Sequence, residues 1–501
     1  MSIFSTAQTF PDVLRSYFTG RQPQLPIQRP SLSELAHLPK TSLPPRIQES
    51  AVALKYIQLL GAMDWDHFPA HPDQRIWFDF PTLQFWSFTA ACLVKLDQHQ
   101  GYMSNLRQYL LENPALMWVF GFPLAASRQS PWGFDPNASL PTERHFCRLL
   151  RDLPNSALQF LLDETVRLIQ IELKDVVDDF GNCISLDTKH ILAWVKENNP
   201  KAYVEEGRFD KTQQPLGDSD CKLGCKRKKN QGKGRASTDG VVETPLSNPI
   251  PAQNAKVGEY YWGYGSGVVA TKVDHWGEFV ISELTQTFDH SDVSYFFPLM
   301  AETERRLGFR PKFGAFDAAF DAFYTYEYFH QAGGFAAVPL VEKGKYVKRV
   351  FNAEGLPLCA AEKPMPLKAT YLDRTTAIIE YERGQYVCPL LFPQPNGETC
   401  PIADPHWAKG GCMTTLATSI GARLRHTLNR DDPEYKNIYR QRTATERINS
   451  QAKEFGIERP KLRNQDSIRN ITTLIYVLIN LHALQRIRQQ KAERLLKLES
   501  V

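Results

Sequence analysis

A chain of 501 residues, 42% hydrophobic and 23% charged, has the composition of a soluble globular protein of roughly two to four domains, which excludes the disordered and fibrous classes. Its formal net charge of +4 is too small to specify a polyanionic partner, so the information lies in where the charges sit. Nine cysteines, few for the length and odd in number, with no secretory leader in the opening MSIFSTAQTFPDVLRSYF, point to a reducing cytoplasm, and no apolar run reaches the roughly 18 residues of a membrane span.

The first 45 residues mix Pro, Ser and basic side chains, and Pro44–Arg46 breaks the chain before a run of helical spacing at Ile47–Leu60. Leu83–Leu96 and Tyr102–Leu111 carry the same periodicity. Ser139 or Thr142 can cap a helix whose apolar face holds Phe146, Leu149 and Leu150, and Leu153–Pro154 separates it from the next. Residues 1–180 are therefore predicted as an all-helical domain. At Asn182–Leu186 the texture changes to a short strand ending at Asp187, and TKHILAWVKENN reads as a helix or turn. Residues 205–256 are poor in apolar side chains and predict a mobile loop. Within it Lys222–Arg235 holds seven Lys or Arg, including Lys226, Arg227, Lys228 and Lys229, and no acid: a cluster suited to DNA phosphates or to a solubilising surface.

Strands follow at Tyr260–Asp274 and Phe279–Leu284, then a helix after Asp292. Gly263, Gly265 and Gly267 lack the Lys-Ser or Lys-Thr that opens a phosphate-loop helix, so they read as turn or strand-crossing glycines. Lys312–Phe316 is a strand ending at Asp317, followed by a helix closed at Gly333 or Gly334 and a strand at Phe335–Val341. This strand–helix–strand unit sets the fold class as α/β. Residues 343–421 read as a mainly β insertion with short strands such as Tyr371–Tyr381, and residues 422–501 as helical. Thr, Asn and His interrupt Ile471–Leu484, which marks a buried helix. Cys388, Cys400, His406 and Cys412, spaced C-x11-C-x5-H-x5-C, could hold a tetrahedral structural Zn²⁺ or be ordinary buried thiols.

The stretch YRQRTATERINSQAK, Tyr439–Lys453, places Tyr439, Arg442, Glu446 and Lys453 at offsets of three, four and seven residues, so a single helix would present a ring, two cations and a carboxylate on one face. The plain alternative is a solvated helix face. Asp187 and Asp317 stand at the ends of separate strands, 130 positions apart, and Glu446 lies 129 further on. Strand ends of an α/β sheet converge on a crevice, so the three acids can meet. Three carboxylates need a hard cation, and two Mg²⁺ or Mn²⁺ ions are the natural match, with Arg442 and Lys453 on flanking phosphates and Tyr439 on a base or phosphate. Asp321, four residues after Asp317, is either a substitute ligand or part of the first helical turn.

Tyr439, Arg442, Glu446 and Lys453 match the Tyr-x2-Arg-x3-Glu-x6-Lys pattern of DDE transposases of bacterial insertion sequences, and together with SLDTKH around Asp187 and FDAAFDAF around Asp317 the chain resembles their IS4-like group. Phe320 replaces the tyrosine usual in the second segment. The resemblance implies a ribonuclease-H-like catalytic core over 181–342 and 422–501, interrupted by the β insertion at 343–421. It implies a helical N-terminal domain at 1–180 that recognises terminal inverted repeats, and a possible base contact by Trp407. The implied chemistry is cleavage at element ends, commonly with a hairpin, followed by attack of a 3′-hydroxyl on target DNA. The implied partners are double-stranded DNA bearing the terminal repeats, target DNA and a second copy in a paired-end complex at the nucleoid. A stand-alone nuclease of the same fold and a catalytically silent DNA-binding descendant are the alternatives.

Overall fold

A computed structural model describes residues 30–69, 85–199, 208–225, 260–340, 349–373 and 380–499. The longer N-terminal helices are α1 (Ala51–Leu60), α2 (Phe85–Asp97), α3 (Met103–Glu112), α4 (Glu143–Asp152) and α5 (Asn155–Leu173). Their starts follow local chemistry. Ser50 accepts the Ala53 amide ahead of α1, Thr142 accepts the His145 amide ahead of α4, and Pro154 separates α4 from α5. The helix predicted from Ile47 is broken: Pro45–Gln48 forms a single turn, and the Ser50 cap restarts the helix.

The centre is a mixed sheet, so the chain is of mixed α/β architecture. Its strands are β1 (Cys183–Leu192), β2 (Lys222–Cys225), β3 (Tyr260–Val273), β4 (Gly277–Thr287), β5 (Phe313–Phe316) and β6 (Phe335–Ala337). Across the sheet the order is β4, β3, β1, β5, β6; β1 and β4 run antiparallel to β3, β5 is parallel to β1, and β6 is parallel to β5. Helix α6 (Phe296–Leu307) joins β4 to β5, and α7 (Phe323–Gln331) joins β5 to β6. A second, antiparallel sheet holds β7 (Leu367–Asp373), β8 (Tyr381–Val387) and β9 (Met413–Ala417). The single strand predicted at Tyr371–Tyr381 is two: Tyr371 lies on β7 opposite Arg383, and Tyr381 opens β8 opposite Asp373. Alternation survives a hairpin reversal, so the pattern alone does not locate it. The chain closes with α8 (Ile420–Thr427), α9 (Pro433–Arg440), α10 (Thr443–Glu454) and α11 (Gln465–Glu499).

Two differences from the sequence reading shape the centre. β1 does not end at Asp187 but continues to Leu192, and no helix follows before a single 3₁₀ turn at Lys196–Asn198. Beyond Leu186 the strand leaves β5 but keeps its ladder with the 14-residue β3, from Asp187↔Val268 to Leu192↔Gly263, and that pairing overrides the cap-like look of Asp-Thr-Lys. The loop predicted at 205–256 is folded over 208–225: β2 pairs with β3, the buried Asp218 accepts the Tyr264 hydroxyl at 2.8 Å, and Trp262 Nε1 donates to the Arg208 carbonyl at 2.9 Å. Lys226, Arg227, Lys228 and Lys229 lie outside the described residues.

Both sheet faces are buried. Ile184, Leu186, Val269 and Phe316 pack with α6 and α7, while Ile191, Tyr264, Val268 and Ala270 share a core with the N-terminal helices, α10 and α11. The N-terminal helices and one face of the sheet therefore form a single apolar core. Helix α11 is buried through Ile471–Leu484 with its polar groups satisfied: Asn470 donates to the Leu150 and Leu153 carbonyls, and Asn480 both donates to Val280 O and accepts from Val280 N beside the irregular step in the β3–β4 ladder. No helix among the described residues is long and apolar enough to cross a membrane.

Two tests arise here. Asp97, 5% exposed at its side chain, binds Lys55 and Tyr56 of α1 at 2.5 and 2.7 Å and His482 of α11 at 2.9 Å. Burial alone would raise its carboxyl pKa, but the hydrogen bonds from His482, Lys55 and Tyr56 outweigh it and hold the carboxyl well below the usual carboxylate range. A depressed folded pKa gives stability that is present above the unfolded value of about 3.9 and lost as pH falls through it toward the folded value. Urea melts of wild type should therefore weaken below about pH 4, and Asp97→Asn should start less stable and flatten that acid limb. Gly263 lets β1 and β3 meet at the end of their ladder, since a methyl there would sit 2.1 Å from the Ile191 carbonyl oxygen. Gly263→Ala should lower stability by about 1–3 kcal/mol in a denaturant melt, the range for overpacking.

Candidate active site

The β1–β5 ladder ends at Leu186↔Phe316, and Asp187 and Asp317 are the residues that follow, Asp187 continuing β1 and Asp317 leaving β5 into a 3₁₀ turn. Alternation from Leu186, buried against α6 and α7, turns Asp187 to the face that carries α10. There Asn449 Nδ2 donates to Asp187 Oδ2 at 3.0 Å, and the Thr188 amide donates to Asp187 Oδ1 at 2.9 Å. Asp317, half-buried, caps the 3₁₀ turn Ala318–Phe320 by accepting the Ala319 amide at 2.8 Å.

Tyr439 and Lys453 do not share one helix. α9 ends at Arg440, and Gln441 and Arg442 form a linking turn before α10. Threonine hydroxyls occupy carbonyls at this step, Thr443 bonding Arg440 O at 2.9 Å and Thr445 bonding Arg442 O at 3.0 Å. The break serves the sheet: α9 packs on β5 and β6, whereas α10 packs on β1, β3 and β4. The two helices thus lie over β5, which Asp317 follows, and over β1, which carries Asp187. Tyr439 stacks on Tyr435 at 6.1 Å and Tyr435 on Phe335 of β6 at 6.4 Å, while the Arg442 guanidinium lies 5.7 Å from the Tyr439 ring centre.

Glu446 stands one helical turn before Asn449 on α10, exposed, with its carboxylate on Arg442 Nη2 at 2.9 Å. Lys453 reaches Glu458 at 3.7 Å, and Glu458 also holds Lys189 of β1 at 2.6 Å. Lys189 lies two residues after Asp187 and on the same sheet face. Beneath the site the buried Tyr476 hydroxyl meets Ser266 Oγ at 3.1 Å, and burial pushes its phenol pKa up, so it stays neutral.

Asp321 does not substitute for Asp317. Its carboxylate, 1% exposed, takes a two-point grip from Arg425 at 2.8 and 2.7 Å and accepts the Tyr326 hydroxyl at 2.9 Å. Asn449, Lys189 and Glu458 escaped the sequence reading. The signal for Lys189 was its two-residue offset from Asp187 and for Asn449 its three-residue offset from Glu446, but both needed the strand and helix limits to be known.

The donor chemistry fits a hard divalent cation. Asp187, Asp317 and Glu446 offer only oxygen, and the buried Asn449 Oδ1 beside Asp187 has no hydrogen-bond partner. Among the described residues no three Asp, Glu, His or Cys side chains stand at ligating distance of one another, Glu446 being turned to Arg442. The four residues considered for Zn²⁺ are not gathered. Cys388 is buried and takes part in a hydrogen bond with Cys412, while His406 is exposed with Nδ1 3.3 Å from Asp404. Burial first, then the neighbouring Cys388 and Cys359, pushes the Cys412 thiol up to about 12. Trp407 is half-buried in a 3₁₀ turn between β8 and β9. His190 packs on Phe288 at 4.6 Å, on the sheet face opposite Asp187, and His275 sits in the β3–β4 turn with φ of 69°. Compared with models of protein families and with characterised proteins, the chain matches none.

Proposed function

We propose that the chain is a metal-dependent DNA transposase of the DDE type, with a ribonuclease-H-like catalytic core, that cuts the ends of a mobile element and joins the freed 3′-hydroxyl to target DNA. The observation that carries this reading is the end of the β1–β5 ladder at Leu186↔Phe316, which Asp187 and Asp317 immediately follow, with the helix bearing Glu446 packed on β1. The strand order β4, β3, β1, β5, β6, with only β3 reversed, supports the ribonuclease-H-like part.

In this reading Asp187, Asp317 and Glu446 hold two Mg²⁺ or Mn²⁺ ions. When bound, such ions polarise the scissile phosphate, activate water or a 3′-hydroxyl and stabilise the leaving oxygen. Glu446 joins the aspartates by leaving Arg442, a half-exposed pair of small stabilising value. Arg442, backed by the Tyr439 ring, then turns its planar donors to a phosphate. Asn449 fixes the Asp187 carboxylate, and the Lys189–Glu458–Lys453 group brings positive charge to the same face.

The test is incubation with DNA flanking the reading frame, in Mg²⁺, Mn²⁺ or chelator, for wild type and for Asp187→Ala, Asp317→Ala and Glu446→Ala. Cutting should need the metal and each of the three acids. Cutting that survives all three substitutions overturns the reading.

A further inference from the structure

Beyond Glu458 the chain turns strongly basic at a defined place in the fold. The Leu192 amide donates to the Glu458 carbonyl at 2.9 Å, which fastens the loop after α10 along the end of β1. Glu458 spends its carboxylate on Lys189 and Lys453, and the next charges are Arg459, Lys461 and Arg463, all exposed. Among the described residues none of these three pairs with a carboxylate. They wall a cleft of about 420 Å³ whose other side is Leu192–Lys196 with Asn198 and Asn199, and so includes Trp194 and Lys196.

Trp194 is 40% exposed, so its ring is open to solvent beside these cations. Lys461 Nζ and Arg463 Cζ lie 5.8 and 5.1 Å from its ring centre, and the exposed Tyr102 meets its edge at 6.2 Å. Cation–π contact holds both long side chains in place without neutralising them, so their charge remains available to an outside anion.

We propose that this cleft is a phosphate-binding track for duplex DNA, continuous with the acidic site along β1, a role that rests on the DNA reading of that site. Arg459, Lys461 and Arg463 take backbone phosphates, and Trp194 is a positioning residue for the last two. Binding of this kind is independent of base sequence and releases counterions, so each phosphate neutralised adds about 0.9 to the slope of log K against log salt.

The test is a salt titration of binding to a labelled duplex of arbitrary sequence, in chelator so that no cutting occurs. The triple change Arg459→Gln, Lys461→Gln, Arg463→Gln should reduce the slope by about 2–3 and weaken low-salt binding by more than roughly tenfold. The pair Lys461→Arg, Arg463→Lys should keep the wild-type slope, and Trp194→Ala should weaken binding more than Trp194→Phe. Melting curves of the triple and the paired Lys/Arg variants should coincide with wild type, because those side chains are exposed. A triple variant with the wild-type slope, or a wild type that binds no duplex, overturns the track. Cutting assayed separately in Mg²⁺ judges the acidic site, so the two ideas fail independently.

Discussion

Changing Asp187 to Asn should abolish metal-dependent DNA cutting while the protein stays folded. The acceptor oxygen facing the Thr188 amide is kept in the new side chain. The other oxygen, which accepts from Asn449 Nδ2, becomes an amide donor, and two donors would then face each other. Asn449 resolves this by rotating its amide, because its Oδ1 is buried and has no partner to lose. The fold therefore tolerates the change, and stability in a urea melt should shift by no more than about 1 kcal/mol. On the proposed two-metal chemistry activity should not survive, because a lost charged ligand removes several kcal/mol of transition-state stabilisation, roughly a thousandfold or more in rate. Single-turnover cutting of labelled DNA measures it. A rate within about tenfold of wild type would place Asp187 outside the chemistry.

The elements that carry the candidate residues were legible because their spacing is regular. The helical offsets among Arg442, Glu446 and Lys453 needed only a helix to be meaningful, and the short apolar runs ahead of Asp187 and Asp317 announced strands, which the register shows to be parallel. The parts that were not legible depend on distant partners. β1 runs five residues past Asp187 because Gly263–Val268 lies alongside it, and nothing within TKHIL specifies that neighbour. The basic, polar stretch before β3 looked unfoldable until Asp218 met Tyr264, a pairing of residues 46 positions apart. The break between α9 and α10 is hidden in good helical sequence and reflects two helices crossing different strands. Gly265 and Gly267 resembled a phosphate loop only in composition; Tyr295 lies over both, and a methyl at either would come within 2.5 Å of its ring or hydroxyl.

Asp317 and Asp321, four residues apart and both acidic, should separate completely by experiment. Asp321→Ala removes the acceptor for a two-point Arg425 grip and for the Tyr326 hydroxyl. Arg425 is only 22% exposed at its side chain, so its charge cannot simply return to water. Breaking one side of such a pair costs about 3–5 kcal/mol, and the loss should show as a large fall in the urea midpoint. His426, pushed down to about 4 by burial first and then by Arg425 and Arg349, is neutral there and adds no positive charge of its own to the stranded guanidinium. Asp317→Ala, in contrast, loses only the cap of one 3₁₀ turn, worth about 1 kcal/mol, yet should lose cutting altogether. Measuring both variants for midpoint and for cutting gives opposite patterns if the assignment is right. An Asp321→Ala protein that melts like wild type but cuts nothing would exchange the roles of the two aspartates and move the second ligand one helical turn along the chain.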